Sequence, residues 1–259
     1  MSLETFAPDT AHRSPDSVYW AIANGRIEGA SYHVLSSYKK GISTSVLDDI
    51  SLIPGTTVVP YPNGQQLRVV SDSAQDNPSG TGIRQIRIHY LDSDYTEQTE
   101  TLAMSGLTPV NTGATNIYRI LGFHSTNSNW SVAAGNISLT NIAGTVTYDY
   151  IESGGNQRLT CHFTIPNGKI GLITGWQATS VKQAMSVRLR ATRDPDTGEL
   201  LSGTFIFHDV VNLSNSSSGQ IRFTCPIKCE ARTDVKISAL AGTANGDCSA
   251  SFAVVVMNA

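Results

Sequence analysis

The sequence predicts an all-β protein: an antiparallel β-sandwich, jelly-roll-like, arranged as one sandwich or as two β domains, with an extended N-terminal arm. Three observations predict it. Side chains alternate apolar and polar with period two from about residue 56 onward. Turn-forming clusters of Gly, Pro, Asn and Ser separate the alternating runs at short spacing. No long segment shows the 3.6-residue period of a helix. The chain has 259 residues, 40% hydrophobic and 15% charged, with 22 glycines and 10 prolines, enough for one large β domain or two smaller ones. Its polarity comes from Ser, Thr, Asn and Gln rather than from charge, which argues against disorder. A net charge of −3 supplies no basic field for nucleic acid or anionic lipid, so neither is expected as a partner.

Residues 1–45 form the expected arm. This segment lacks sustained alternation and sets Tyr19, Trp20, Tyr32 and Tyr38 among Pro, Gly and Ser. Asp16, after Pro15, can cap one short helix over 18–22, and Asn24–Gly25 would end it. Four aromatic residues without a core of their own suit an arm that docks on another molecule; the alternative is an arm laid along its own sandwich. Deletion of 1–45 is then expected to leave a folded β domain. A first β region over 46–143 and a second over 144–259 follow, divided near Asn141–Ile142–Ala143–Gly144.

In the first region the runs 84–91 and 96–104 flank Asp92–Ser93–Asp94–Tyr95 as a hairpin turn would. Arg84 and Arg87 face Glu97 and Glu100 as candidate cross-strand charge pairs. In the second region Leu159, Cys161, Phe163 and Ile165 alternate with Arg158, Thr160, His162 and Thr164. Met185, Val187, Leu189 and Ala191 alternate with Ser186, Arg188, Arg190 and Thr192. The runs at 221–225, 235–239 and 252–256 continue the pattern. Turns are expected at 153–156, 166–168, 194–198, 216–219 and 245–247.

Nucleotide-binding and hydrolase signatures such as G-x-x-x-x-G-K-[ST], G-x-S-x-G and H-E-x-x-H do not occur. Pro78–Ser79–Gly80–Thr81–Gly82 reads as a turn whose glycines supply backbone angles other residues resist. The acidic groups Asp92, Asp94, Glu97, Glu100 and Asp194, Asp196, Glu199 read either as turn chemistry or as calcium ligands. His89, His162 and His208 fall on the polar phases of strands and are expected at the surface or rim. Cys161, Cys225, Cys229 and Cys248 allow free buried thiols, disulfides or, with His162, a zinc site. Cys161, Cys225 and Cys248 lie on apolar phases, which favours small buried hydrophobes. The Asn-x-Ser triplets at Asn129, Asn136, Asn212 and Asn215 read as loops. Trp130 and Trp176 are candidate sugar-stacking platforms, or core. No catalytic residue, cofactor or metal is assigned. The longest apolar run, 252–257, is far too short to cross a bilayer as a helix, and no secretory signal pattern is visible.

One string of spaced turns carries a resemblance: Ser71–Asp72–Ser73–Ala74–Gln75–Asp76, Gly80–Thr81–Gly82, Ile86–Arg87–Ile88, Leu91–Asp92, Glu97, Glu100–Thr101–Leu102, Gly106 and Thr108–Pro109–Val110. Together with a basic-glycine segment at 33–41, Asn156–Gln157 and Ile165–Pro166–Asn167–Gly168–Lys169, it resembles a family of tailed-bacteriophage virion structural proteins. The family has Ala where this chain has Asn167. The resemblance implies a non-enzymatic component of the head exterior, neck or tail of a virion, a decoration, cement or collar protein. Its implied partners are copies of itself and other virion proteins (capsid, portal or neck, tail). A glycan-binding receptor module of the tail is the alternative.

Overall fold

Period-two alternation sorts the described residues into sixteen strands and one helix. The structure, a computed structural model, describes residues 15–126, 132–193, 199, 201, 203–242 and 246–259. Helix α1 spans Pro15–Ala23, with proline in the first turn, where its missing N–H costs nothing. It ends at Gly25, whose φ of 67° suits the left-handed cap and whose N–H reaches the Ile22 carbonyl at 2.9 Å.

In chain order the strands are β1 (Ala30–Ile42), β2 (Asp48–Asp49), β3 (Leu67–Ser71), β4 (Gln85–Leu91), β5 (Glu97–Ala103), β6 (Val110–Asn111), β7 (Arg119–Ser125) and β8 (Ile137–Asn141). They continue with β9 (Thr147–Ile151), β10 (His162–Thr164), β11 (Lys169–Ser180), β12 (Met185–Ala191), β13 (Ile206–Leu213), β14 (Ser218–Cys229), β15 (Asp234–Ala241) and β16 (Gly246–Asn258).

Two four-stranded orders define the larger unit: β1-β16-β11-β14 in one sheet and β10-β15-β12-β13 in the other, with β2 added to β15. Read along the chain, these eight strands interleave between the sheets as a jelly roll, with all pairings antiparallel. Its core lies between the sheets and includes Phe163, Trp176, Leu189, Ile237, Phe252 and Val254. Between its first strand, β1, and its second, β10, the chain inserts a smaller unit. There the sheets β6-β3-β8-β9 and β5-β4-β7 enclose a separate core around Leu67, Ile86, Ile88, Phe123 and Leu139.

The antiparallel β class and jelly-roll character follow the sequence expectation; the segmentation differs from it. The turn at Asn141–Gly144 joins β8 to β9 within one hairpin, so residues on both sides of it belong to the same unit. From Ala30 to Ile42 the expected arm is a strand of the protein's own sheet, paired with β16 from Ala30 opposite Met257 to Lys39 opposite Cys248. Its inward positions carry Ser31, His33, Leu35 and Ser37; Ser31, His33 and Ser37 hydrogen-bond locally or to the Leu159 carbonyl and Leu35 packs on the core, while its outward positions carry Tyr32 and Val34. The strand mixes polar and apolar side chains on both faces, and that hid it.

The 92–95 turn forms as expected. Asp92 Oδ1 accepts the N–H groups of Asp94 and Thr96, each at 3.0 Å. The charge pairing differs. Register sets Arg87 opposite Thr101 and Ile88 opposite Glu100, and the Glu100 carboxylate instead accepts the N–H groups of Gly113 and Ala114.

Candidate functional site

The polar phase of β10 and β15 faces the inserted unit rather than water, and along this seam the chain gathers its buried charges. Arg119 on β7 forks onto Asp234 on β15, Nε to Oδ1 and Nη2 to Oδ2 both at 3.1 Å. Thr164 also donates to Asp234. The Arg119 guanidinium lies 3.9 Å from the Tyr61 ring centre and 4.6 Å from that of Tyr118, cation–π contacts strengthened by desolvation. Arg158 pairs with Asp149 at 2.7 Å and also donates to the carbonyls of Ile120 and His162. Lys236 pairs with Asp49 at 2.8 Å, and Ser238 donates to the same carboxylate. Such pairs add little net stability but fix orientation, because a shift of either unit would strand a charge.

His162 sits within this network, 4% exposed, with Nε2 3.1 Å from the Tyr61 hydroxyl. Burial, and then the neighbouring Arg158, Lys236 and Arg119, hold its pKa well below the usual value. The surface position expected for it is therefore corrected: alternation marked the residue polar-phase, but that face meets a second layer of protein. Burial likewise raises the Tyr61 phenol well above its ordinary range and raises the Asp149 carboxyl against the pull of Arg158.

Beside the seam a cleft of about 670 Å³ opens between Tyr95, Tyr118 and Arg119 on one side and Arg190, Phe205 and Lys236 on the other. No sequence motif marked it, because its walls come from six separate stretches of chain. The interleaving of Arg188, Arg190, Phe205 and Phe207 was the only available signal. Arg188 lies 4.5 Å from the Phe207 ring centre, and Arg190 5.4 Å from that of Phe205.

Two aromatic residues of the expected arm meet on the β1-β16-β11-β14 sheet. Tyr19 on α1 lies 5.9 Å from Tyr32 on β1. Trp20 is 54% exposed and Val34 59%, with Arg26 over the Trp20 ring at 4.4 Å. Tyr19, Tyr32 and Val34 line a groove of about 270 Å³ that crosses the outer face of the β1-β16-β11-β14 sheet. Tyr38 stands apart from them, donating to Glu152 at 3.0 Å.

Of the two tryptophans considered for sugar stacking, Trp130 lies outside the described residues. Trp176 is 3% exposed and its indole N–H donates to Asp209 at 2.9 Å, so its ring is core and offers no face to a sugar. All four cysteines are free. Burial raises the thiols of Cys161, Cys229 and Cys248, the last two to about 12, as suits inert small hydrophobes. Cys225, expected inside, is exposed. Register between β11 and β14 jumps from Ile173–Ile227 to Gly175–Arg222, and Cys225 rides in the bulge. Gly175 is required there, since a Cβ would stand 2.6 Å from the Ile221 carbonyl oxygen. Among the described residues no group of three His, Cys, Asp or Glu side chains could hold a metal, and no helix is long and apolar enough to cross a membrane.

No protein-family model and no curated protein matches the sequence. Among solved structures the chain is similar to infectious bursal disease virus particles. The 2.6 Å structure of virus-derived T=1 particles aligns at 12% identity and a TM-score of 0.24, over 89% of this chain and 70% of that one. The Gt strain aligns at 9% identity and 0.24, over 89% and 72%, and the VP2 subviral particle at 12% and 0.24, over 90% and 72%. Overlap of this size reaches no further than a shared β-rich character.

Proposed function

We propose that the protein is a structural component of a virion, acting through contacts with copies of itself and with neighbouring virion proteins and not as an enzyme. Within that role the spaced-turn resemblance favours a tailed-bacteriophage decoration, cement or collar component of the head or neck exterior. The observation that carries the reading is the outward apolar surface of α1 and β1. Tyr19, Tyr32 and Val34 line a groove at an edge strand, and Trp20 is exposed on the same helix as Tyr19. A monomer gains nothing by keeping large apolar side chains in water, and clustered ones mark interaction sites. The jelly roll agrees with this, being an architecture shared by capsid and lectin domains, although fold alone does not assign function. The expected interaction residues Tyr19, Trp20 and Tyr32 belong to this surface. Tyr38 is held by Glu152 and is proposed at its margin.

The test is self-association and particle incorporation. Sedimentation velocity of the purified chain is expected to show concentration-dependent oligomers. Trp20→Ser with Val34→Ser, both at exposed positions, is expected to give folded monomers that imaging no longer finds in particles. A wild-type chain that stays monomeric at every concentration, or a double variant incorporated as wild type, would overturn the reading.

A further inference from the structure

The seam cleft shares no lining residue with the α1–β1 groove, and the structural role makes no use of it. Its charges are unequally committed. Arg119 and Lys236 are each matched by a carboxylate, Asp234 and Asp49. Arg190 and Arg232, which also line it, have no carboxylate partner among the described residues. Arg190 donates one N–H to Ser238 Oγ at 3.3 Å, but its Nε is buried and finds no acceptor, a costly arrangement in a folded protein. Arg232 is held with φ at 67°, a strained angle for a non-glycine residue, and its guanidinium lies 5.5 Å from the Tyr95 ring centre. The cleft therefore presents two surplus cations.

Its remaining walls narrow the ligand. Tyr95 and Tyr118 meet edge to face at 5.1 Å, and Phe205 faces the cleft from the opposite side. The rings supply apolar surface beside the cations that lie over them, and the lining Asn63 is already held by Arg119. A volume of about 670 Å³ is much larger than an inorganic anion needs and falls within the range of small-ligand sites. A polyanionic strand would call for an extended basic track and a favourable overall field, and this chain carries a net charge of −3.

We infer that the seam cleft binds a short acidic saccharide, with a sugar carboxylate on the Arg190 guanidinium, Arg232 as second cation and a sugar face against the tyrosine pair. A planar guanidinium fork matches a carboxylate in two parallel hydrogen bonds. The inference is independent of virion assembly, since neither residue lies on the α1–β1 surface.

The test uses the full chain on an array of uronate- and sialate-bearing saccharides printed beside their neutral methyl esters, with titration calorimetry on the members retained. Retention of acidic members, loss of binding to the esters, and at least tenfold weaker binding by Arg190→Gln and by Arg232→Asn are expected. Thermal melts of the unliganded variants check that both remain folded; Arg232 is exposed, and asparagine tolerates its backbone angle. Four results would overturn the inference: no carboxylated saccharide retained, acids and esters retained alike, both variants binding as wild type, or inorganic phosphate or a thymidine oligonucleotide binding more tightly than any acidic saccharide. Self-association is read separately, so failure here leaves the structural role standing.

Discussion

Asp76 has no exposed surface, and a carboxylate withdrawn from water must have its oxygens hydrogen-bonded. It accepts the N–H groups of Ile83, Ala134 and Gly135 at 2.7, 2.9 and 3.0 Å and the Ser71 hydroxyl at 2.6 Å. Gly82 stays small for the same reason: a Cβ there would lie 2.1 Å from Asp76 Oδ1. The Ser71–Gly82 stretch, legible in the sequence only as turns, is thus a polar knot tying together two loops of the inserted unit. Asp76→Ala strands all four donors and is expected to cost about 3–5 kcal/mol. Asp76→Asn, which keeps an acceptor, should cost less. Urea denaturation of the variants checks this, and a loss under about 1 kcal/mol for the alanine variant would contradict the account. His162 and Cys225 were misplaced by the sequence for a related reason. A one-residue alternation rule cannot tell whether a polar face meets water or another layer, nor where a bulge resets the phase.

At the scale of elements, legibility followed burial pattern. The strands β12, β15 and β16 alternate cleanly and were readable, because one face of each enters the core between the sheets. Strand β1 was not readable, since its inward face mixes Leu35 with the hydrogen-bonded polar groups Ser31, His33 and Ser37, while Tyr32 and Val34 point out. This changes what a truncation should do. Removing residues 1–45 takes away the whole of β1 and leaves the edge of β16 unpaired from Gly246 to Met257, a template for aggregation. That truncation is expected to be insoluble or to lose its cooperative melt, contrary to the folded domain anticipated from sequence. Removing 1–27 keeps the strand and should leave a cooperatively folding protein. Circular dichroism melts and size-exclusion profiles of the two truncations separate these outcomes.

Across the whole molecule, the class of fold was legible and the topology was not, because the pairing of β1 with β16 and the insertion between β1 and β10 are set by partners far apart in sequence. The seam that joins the two units carries a dependence on pH. His162 is held neutral in the folded protein, its pKa depressed by burial and by the cations around it, while in the unfolded chain it titrates near 6.5. Its contribution is therefore intact above about pH 6.5. It is lost as pH falls toward the folded pKa, at up to about 1.4 kcal/mol per pH unit. His33, His89 and His124 are shifted the same way, also mainly by burial, and add to the slope. His162→Gln is expected to flatten the decline between pH 6.5 and 5 by about one proton's worth. Denaturation curves at the two pH values measure it, and an unchanged slope would refute the assignment.

The pairing of Ala30 with Met257 also sets an order of events during synthesis. The inserted unit, whose strands β3 to β9 find all their sheet partners among themselves, can close while the ribosome is still extending the chain. Strand β1 emerges earlier yet has no neighbour in its sheet until β16 is released. Throughout that interval the nascent molecule carries an open edge and the aromatic surface beside it, so a strand made before the inserted unit is sealed only after it.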